Sequence, residues 1–213
     1  EILETDSSKA LIDLASNDYL GLSTHPKLIK AAQEVMQSEG VGAGSSRFIT
    51  GSRPIHEELE KALGNWLGRD QVLLFPSGFQ ANLAAVQALA DRSTIVLIDR
   101  LAHNSLLTGV KATGAKLCRY KHNNIDELKF LLDRHSSNTK ESNLLVITES
   151  LFSMEGSSAP IKEIATLCEN YGAKLLVDEA HALGVLGDKG RGLCHELTQP
   201  ISIISGTFGK AFG

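Results

Sequence analysis

Nine residues, Ser205-Gly-Thr-Phe-Gly-Lys-Ala-Phe-Gly213, surround one lysine, Lys210, with glycines, small hydroxyl residues and phenylalanines. A lysine in a loop of small residues can approach a planar cofactor and form a Schiff base. Upstream, the apolar run of Lys174-Leu-Leu-Val-Asp-Glu-Ala-His181 ends in acid. A carboxylate at a strand end can hold a protonated pyridine nitrogen. Lys210 and Asp178 together point to pyridoxal 5'-phosphate (PLP) chemistry.

Each supporting motif has a plainer reading beside it. Asp178-Glu-Ala-His181 also spells a motif of ATP-driven nucleic-acid motors. That mechanism needs an upstream G-x-x-x-x-G-K-[ST] loop to cradle phosphates. The one Gly-Lys pair, Gly209-Lys210, lies downstream and is followed by Ala211. Asp178 could simply cap a helix. Buried behind Leu175–Val177, though, a carboxylate without a cap role needs a charged partner, and a pyridinium supplies one. His181 lies within reach of the cofactor's phenolic oxygen; zinc is discounted because His181 and His195 lack tight ligand spacing. The His103 imidazole can stack on a heteroaromatic ring, or serve as a polar residue at a helix start. Ser77-Gly-Phe-Gln-Ala-Asn82 opens a helix directly after an apolar run, where free N–H groups and the helix dipole favour an anion. Ser205 and Thr207 offer further hydroxyls to a phosphate. Gly40-Val-Gly-Ala-Gly-Ser-Ser-Arg47 lacks the G-x-G-x-x-G spacing and a preceding strand, so it reads as a flexible connection reaching a substrate or neighbouring subunit.

The elements that must position these groups follow from periodicity. Residues 1–24 read as an arm with a short strand, Ala10–Ala15, and residues 25–213 as one large domain. Helices are predicted over Pro26–Gln37 and Ile55–Leu67, with the glycine- and serine-rich loop Gly40–Gly51 between them. Strands and helices then alternate. Strands are predicted at Val72–Phe75, Thr94–Ile98, Lys116–Tyr120, Leu144–Thr148, Leu175–Val177 and Ile201–Ile204. Helices are predicted from Gly78 to about Ala90, and at Ser105–Thr113, Ile125–Arg134 and Ile161–Tyr171. Ser136–Ser142 reads as a surface loop. Such alternation predicts an α/β fold, three layers α/β/α around a mostly parallel sheet. Ligands of these folds bind at the carboxyl ends of the strands. Ser77, His103, Glu149, Ser153, Asp178, His181 and Lys210 all fall at or after those ends, which argues for one shared site.

Composition narrows the class. With 213 residues and 42% hydrophobic content the chain can bury a real core. A net charge of -4 favours neither nucleic acid nor an anionic membrane surface. Three unevenly spaced cysteines without a CxxC fit a reducing cytoplasm. No apolar run is long enough to span a bilayer, and Glu1-Ile-Leu-Glu-Thr-Asp6 does not read as a signal peptide.

Taken in order, the motifs are more specific than any one of them. They are Asn17-Asp-Tyr-Leu-Gly-Leu22, Gly42–Arg47 with His56 and Glu57, Ser77-Gly-Phe79, Asp99 with His103, Glu149-Ser-Leu-Phe-Ser-Met-Glu-Gly156, Val177-Asp-Glu-Ala-His181, Gly187–Gly192 and Thr207-Phe-Gly-Lys210. The series resembles the α-oxoamine synthases, fold-type I PLP enzymes related to aspartate aminotransferase, over nearly the whole chain. The resemblance implies an aspartate aminotransferase-like large domain. It also implies a decarboxylating condensation of an amino acid with an acyl-CoA or acyl-carrier thioester. Lys210 would then be the Schiff-base lysine and proton carrier, and Asp178 would pair with the pyridine nitrogen. His103 would stack over the ring and face substrate. His181 and Ser153 would contact the phenolic-oxygen side, Gly78 and Phe79 would line the cofactor, Thr207 would bind phosphate, and Asn17 would orient substrate. Lys210, His103 and Asp178 form the expected catalytic set; Ser77 and Glu149 complete the expected cofactor site. The family pattern further implies a homodimer. It implies a helix ahead of Glu1 and, beyond Lys210, the rest of the large domain and a C-terminal domain. This chain is therefore expected to be part of a larger protein.

Overall fold

The computed structural model describes residues 2–3, 11–136 and 143–213. They fall into two compact units: Leu74–Thr207, and Glu1–Leu73 together with Phe208–Gly213.

The larger unit is built on a parallel sheet of five strands in the order β4-β3-β5-β6-β7. These are β3 (Ile95–Asp99), β4 (Lys116–Tyr120), β5 (Leu144–Glu149), β6 (Lys174–Asp178) and β7 (Ile203–Ser205). Four helices connect or precede them: α3 (Gly78–Leu89), α4 (Asn104–Thr113), α5 (Ile125–Ser136) and α6 (Ile161–Tyr171). The strands are apolar on both faces, as a sheet covered on both sides requires. Val96, Ile98, Leu145, Ile147 and Leu176 point to one face and pack with Ala85 and Val86 of α3 and Leu106 and Val110 of α4. Leu97, Leu144, Val146, Leu175 and Val177 point to the other and pack with Leu128 and Leu132 of α5 and Ile161, Ile164 and Cys168 of α6. That is the expected three-layer α/β/α arrangement. Each fully buried aliphatic side chain contributes about 1.5–3 kcal/mol. Gly172 closes α6 at φ 63, a left-handed conformation that glycine adopts without a Cβ clash.

Chain order places β4 on one side of β3 and β5 on the other, so the sheet changes direction between β3 and β5. A crevice opens at the carboxyl ends of strands at such a reversal. The register brings Glu149 level with Asp178, and Asp178 level with Ser205, across three adjacent strand ends.

The smaller unit holds the antiparallel pair β1 (Ile2–Leu3) and β2 (Leu11–Ile12), and the helices α1 (Pro26–Glu39) and α2 (Pro54–Leu67). Proline in the first turn of each helix sacrifices no intrahelical hydrogen bond. Arg47 clasps Glu60 in a two-pronged ion pair, at 2.7 and 3.1 Å.

Several expected elements differ. Val72–Phe75 forms no strand: it joins no ladder among the described residues, and Leu73 is 73% exposed. Gly40–Gly51 is not wholly loop, because Arg47–Gly51 makes one π-helical turn capped by the Ser46 hydroxyl. The strand expected at Ala10–Ala15 is reduced to Leu11–Ile12, and Ala10 lies outside the described residues. Of the expected loop Ser136–Ser142, Ser136 ends α5 and residues 137–142 lie outside the described residues. An unexpected isolated bridge, Leu151 with Ser158, folds the chain back after β5.

Candidate active site at the strand ends

Asp178 ends β6 and is 6% exposed. Its Oδ1 accepts from the Ala180 N–H at 2.9 Å and its Oδ2 from the Asn82 amide at 2.6 Å. The chain turns after Asp178 rather than starting a helix, so this carboxylate stabilises a tight turn instead of capping. Both of these donors are neutral groups.

The Asn82 amide donates as well to Ser105 Oγ at 2.9 Å, and Ser105 Oγ lies 2.7 Å from His103 Nδ1. His103 caps α4, its Nδ1 accepting from the Ser105 N–H at 3.3 Å. With Nδ1 engaged there, Nε2 is the ring nitrogen left to face outward contacts. The His103 backbone N–H donates to Glu149 Oε1 at 2.6 Å. One polar chain thus runs from β6 through α3 and α4 to β5: Asp178, Asn82, Ser105, His103, Glu149. Asn82 and Ser105 were not expected as site residues. Polar side chains inside helices read as solvent-facing until the helices are packed together, and only the placement of Asn82 in the first turns after Ser77 hinted otherwise.

The remaining positions group less tightly. Ser77 caps α3, its hydroxyl accepting from the Gln80 N–H at 3.2 Å. Gly78 faces Thr207 so closely that a Cβ would stand 3.4 Å from the threonine Cβ. Phe79 is 43% exposed in the first turn of α3. His181 is buried in the turn after β6, and Ser153 is exposed in the loop after β5. Asp99, paired with His103 in the sequence motif, turns instead to the Leu101 and Asn123 N–H groups and to His122. Buried Ser205 Oγ and Asn82 Oδ1 have no hydrogen-bond partner among the described residues. Glu179, next to Asp178, is 1% exposed; its Oε1 accepts from the Leu193 and Cys194 N–H groups at 2.6 and 3.1 Å. Burial pushes its carboxyl above the ordinary value, and those N–H donors partly offset the shift. Gly192 sits at φ 83 against that carboxylate, and any Cβ there would collide with it.

Lys210 and Asn17 belong to the smaller unit. The Lys210 carbonyl accepts from the Gly213 N–H at 3.1 Å, closing a turn. Phe212 on that turn packs edge-on against Trp66 and Phe208, at 5.8 and 5.4 Å between ring centroids. Asn17 Oδ1 accepts from the Tyr19 hydroxyl at 3.1 Å.

The sequence matches the aminotransferase class I and II family over residues 9–213. The chain belongs to that family. Among curated members it is 41% identical to the 8-amino-7-oxononanoate synthase of Alkalilimnicola ehrlichii over 212 residues, covering 98% of this chain and 53% of that protein. It is 45% identical to the enzyme of the same name from Acidithiobacillus ferrooxidans over 206 residues, covering 95% of this chain and 52% of that one. The chain therefore spans about half the length of these relatives. Among solved structures, a serine palmitoyltransferase from S. paucimobilis with bound PLP and myriocin superposes with a TM-score of 0.91 at 33% identity, over 97% of this chain and 53% of that one. The 8-amino-7-oxononanoate synthase from Francisella tularensis superposes with a TM-score of 0.80 at 30% identity, over 95% of this chain and 56% of that one. The aminotransferase class I and II fold accounts for the parallel sheet and for polar groups gathered at its carboxyl edge.

Proposed function

We propose that this aminotransferase-family chain carries the PLP-binding part of an 8-amino-7-oxononanoate synthase. That enzyme joins L-alanine to a pimeloyl thioester, on CoA or an acyl carrier, with loss of carbon dioxide in biotin biosynthesis. The observation that carries the reading is Asp178, a buried strand-end carboxylate with two neutral donors. The names of the curated relatives support the substrate pair.

The residues fit the cofactor. Asp178 would hold the protonated pyridine nitrogen, in a place where an isolated carboxylate is costly. The N–H groups at the start of α3, after Ser77, have no helical acceptor and suit a phosphate, with Gly78, Phe79 and Thr207 beside them. The unpartnered Ser205 hydroxyl and Asn82 carbonyl are the kind of buried groups a polar ligand satisfies. His103, whose ring meets Ser105 and whose backbone N–H donates to Glu149, would lie over the ring and face substrate. Glu149, His181 and Ser153 would complete the cofactor site. Lys210 would supply the covalent link and carry the substrate α-proton on Nζ, and Asn17 would orient substrate. Bound PLP supplies the electron sink for the carbanion left when that proton departs. Residues 1–24 would serve as an arm on a large domain that begins at residue 25, in a cytoplasmic homodimer. No helix among the described residues is long and apolar enough to cross a membrane.

The test is to mix the purified chain with PLP, reduce with borohydride and map the modified lysine by mass spectrometry. Labelling at Lys210, lost in Lys210→Ala, supports the reading. Scattered labelling, or none, in folded protein and in a chain extended to the relatives' length would sink it.

A serine palmitoyltransferase-type activity is the second reading, because those structures superpose better, with TM-scores of 0.91 against 0.80. A panel of alanine, serine and glycine against pimeloyl, palmitoyl and acetyl thioesters on the extended chain separates the two.

A further inference from the structure

Asp99, His122 and Ser157 stand in a hydrogen-bonded row beside the candidate site. Asp99 ends β3 and is fully buried. Its Oδ1 lies 3.1 Å from His122 Nδ1, and His122 Nε2 lies 2.7 Å from Ser157 Oγ. The carboxylate only accepts, so Nδ1 carries the proton. Nε2 is then free to accept from the Ser157 hydroxyl at 2.7 Å, the shorter of its two contacts, with the Asn123 amide 3.3 Å away. The His122 ring also packs edge-on against buried Phe152, with centroids 4.4 Å apart.

The same order of groups activates a serine nucleophile in hydrolases. Here the loop's own bonds argue for another role. The Phe152 N–H donates to the Ser157 carbonyl at 3.0 Å, the Gly156 N–H to Phe152 at 2.9 Å, and the Ala159 N–H to Ser150 at 2.9 Å. These amides are engaged inside the loop and are not aimed at a developing oxyanion. The Asn123 amide adds a bond to the Ser158 carbonyl at 3.1 Å. Every contact of His122 and Asn123 with this segment ties the loop after β5 to the end of β3. Ser153 opens a run of four exposed residues, Ser153–Gly156, at the bend of that loop.

We propose that Asp99, His122 and Ser157 act as a clasp that positions Ser153 for the cofactor. His122 is the positioning residue, and its tautomer is set by Asp99. The assignment rests on the proposed PLP site, because Ser153 matters only if it meets the cofactor there. The clasp itself stands on the loop geometry.

The test uses the full chain with and without PLP. Backbone hydrogen exchange over Phe152–Ser158 is compared in wild type, His122→Ala and His122→Asn. The asparagine variant keeps a donor for Asp99 and loses the reach to Ser157, so the end of β3 stays intact if the alanine variant folds poorly. Exchange in the loop should accelerate about 3- to 10-fold in both, the factor expected for loss of one hydrogen bond. PLP affinity should fall by a similar factor, and the loss should not add to that of Ser153→Ala, because His122 acts through Ser153. Unchanged exchange in the loop overturns the clasp. Full additivity with Ser153→Ala overturns the positioning role, since a merely structural histidine would weaken the protein independently of Ser153. If neither this chain nor one extended to the relatives' length takes up PLP, the proposed function fails, while the exchange comparison still decides the clasp.

Discussion

The Asn82 side-chain amide donates to Asp178 Oδ2 at 2.6 Å, linking α3 to the end of β6 across 96 positions of sequence. The bond orients the one carboxylate on which the cofactor assignment depends, and Asn82 has a second bond, to Ser105, that keeps the amide from rotating. Replacing Asn82 by aspartate would set two carboxylates against each other in a buried position. We expect Asn82→Asp to cost about 3 kcal/mol, read as a lower urea midpoint, from leaving a buried charge without its partner. Asn82→Ala should fold and hold PLP about tenfold more weakly. Tight PLP binding by Asn82→Ala would show that Asp178 does not need this orientation.

Asp178→Asn keeps the shape of the turn and removes the charge. If the carboxylate holds a protonated nitrogen, borohydride trapping at Lys210 at low PLP should need about a hundredfold more cofactor, the scale of a buried charge pair. Spectroscopic titration of PLP measures the shift directly. Equal affinities in the two proteins would remove Asp178 from the site.

Gly109 of α4 lies against Val86 of α3. A Cβ there would meet Val86 Cβ at 2.9 Å and its Cγ2 at 3.1 Å, with both residues in the core. Gly109→Ala should therefore destabilise by about 1–3 kcal/mol through overpacking. The double variant Gly109→Ala, Val86→Ala should recover part of that loss. Chemical denaturation of the three proteins checks it, and additive losses would mean that the helices separate rather than clash.

Glu179 gives a pH prediction. Burial raises its folded-state value above 4.5, the reference for an unfolded glutamate. Between those two values the folded state holds more protons than the unfolded one, so stability falls as pH rises. The contribution is fully present below the unfolded value and is lost by the folded one. Glu179→Gln keeps an oxygen for the Leu193 and Cys194 N–H groups and removes the titration. Its stability relative to wild type should rise as pH climbs through that window and level off above it. A constant difference from pH 4 to 8 would contradict the burial argument.

The alternation of strands and helices was legible because the faces of this sheet are uniformly apolar, so that short apolar runs such as Leu144–Ile147, bounded by polar residues, read as buried strands. Val72–Phe75 carried the same signal and is not a strand, because an apolar run becomes one only where a neighbour offers its backbone. The strand-end acids were legible too, since charge that follows a buried run has few places to go. Asn82 and Ser105 were not: their importance comes from two helices lying side by side, a contact that no single helix's periodicity encodes. His103 shows that two readings can hold together, as its ring caps α4 while its position remains open to a cofactor role. The pairing of Asp99 with His122 rather than with His103 is likewise a product of the turn after β4.

The strand order has a consequence for how the chain is made. β4 pairs with β3, β5 with β3, β6 with β5 and β7 with β6. Each of β4, β5, β6 and β7 therefore finds a partner of this sheet already outside the ribosome when it emerges. A growing chain can extend this sheet outward from β3 as it emerges, β4 covering one edge of β3 and β5 the other.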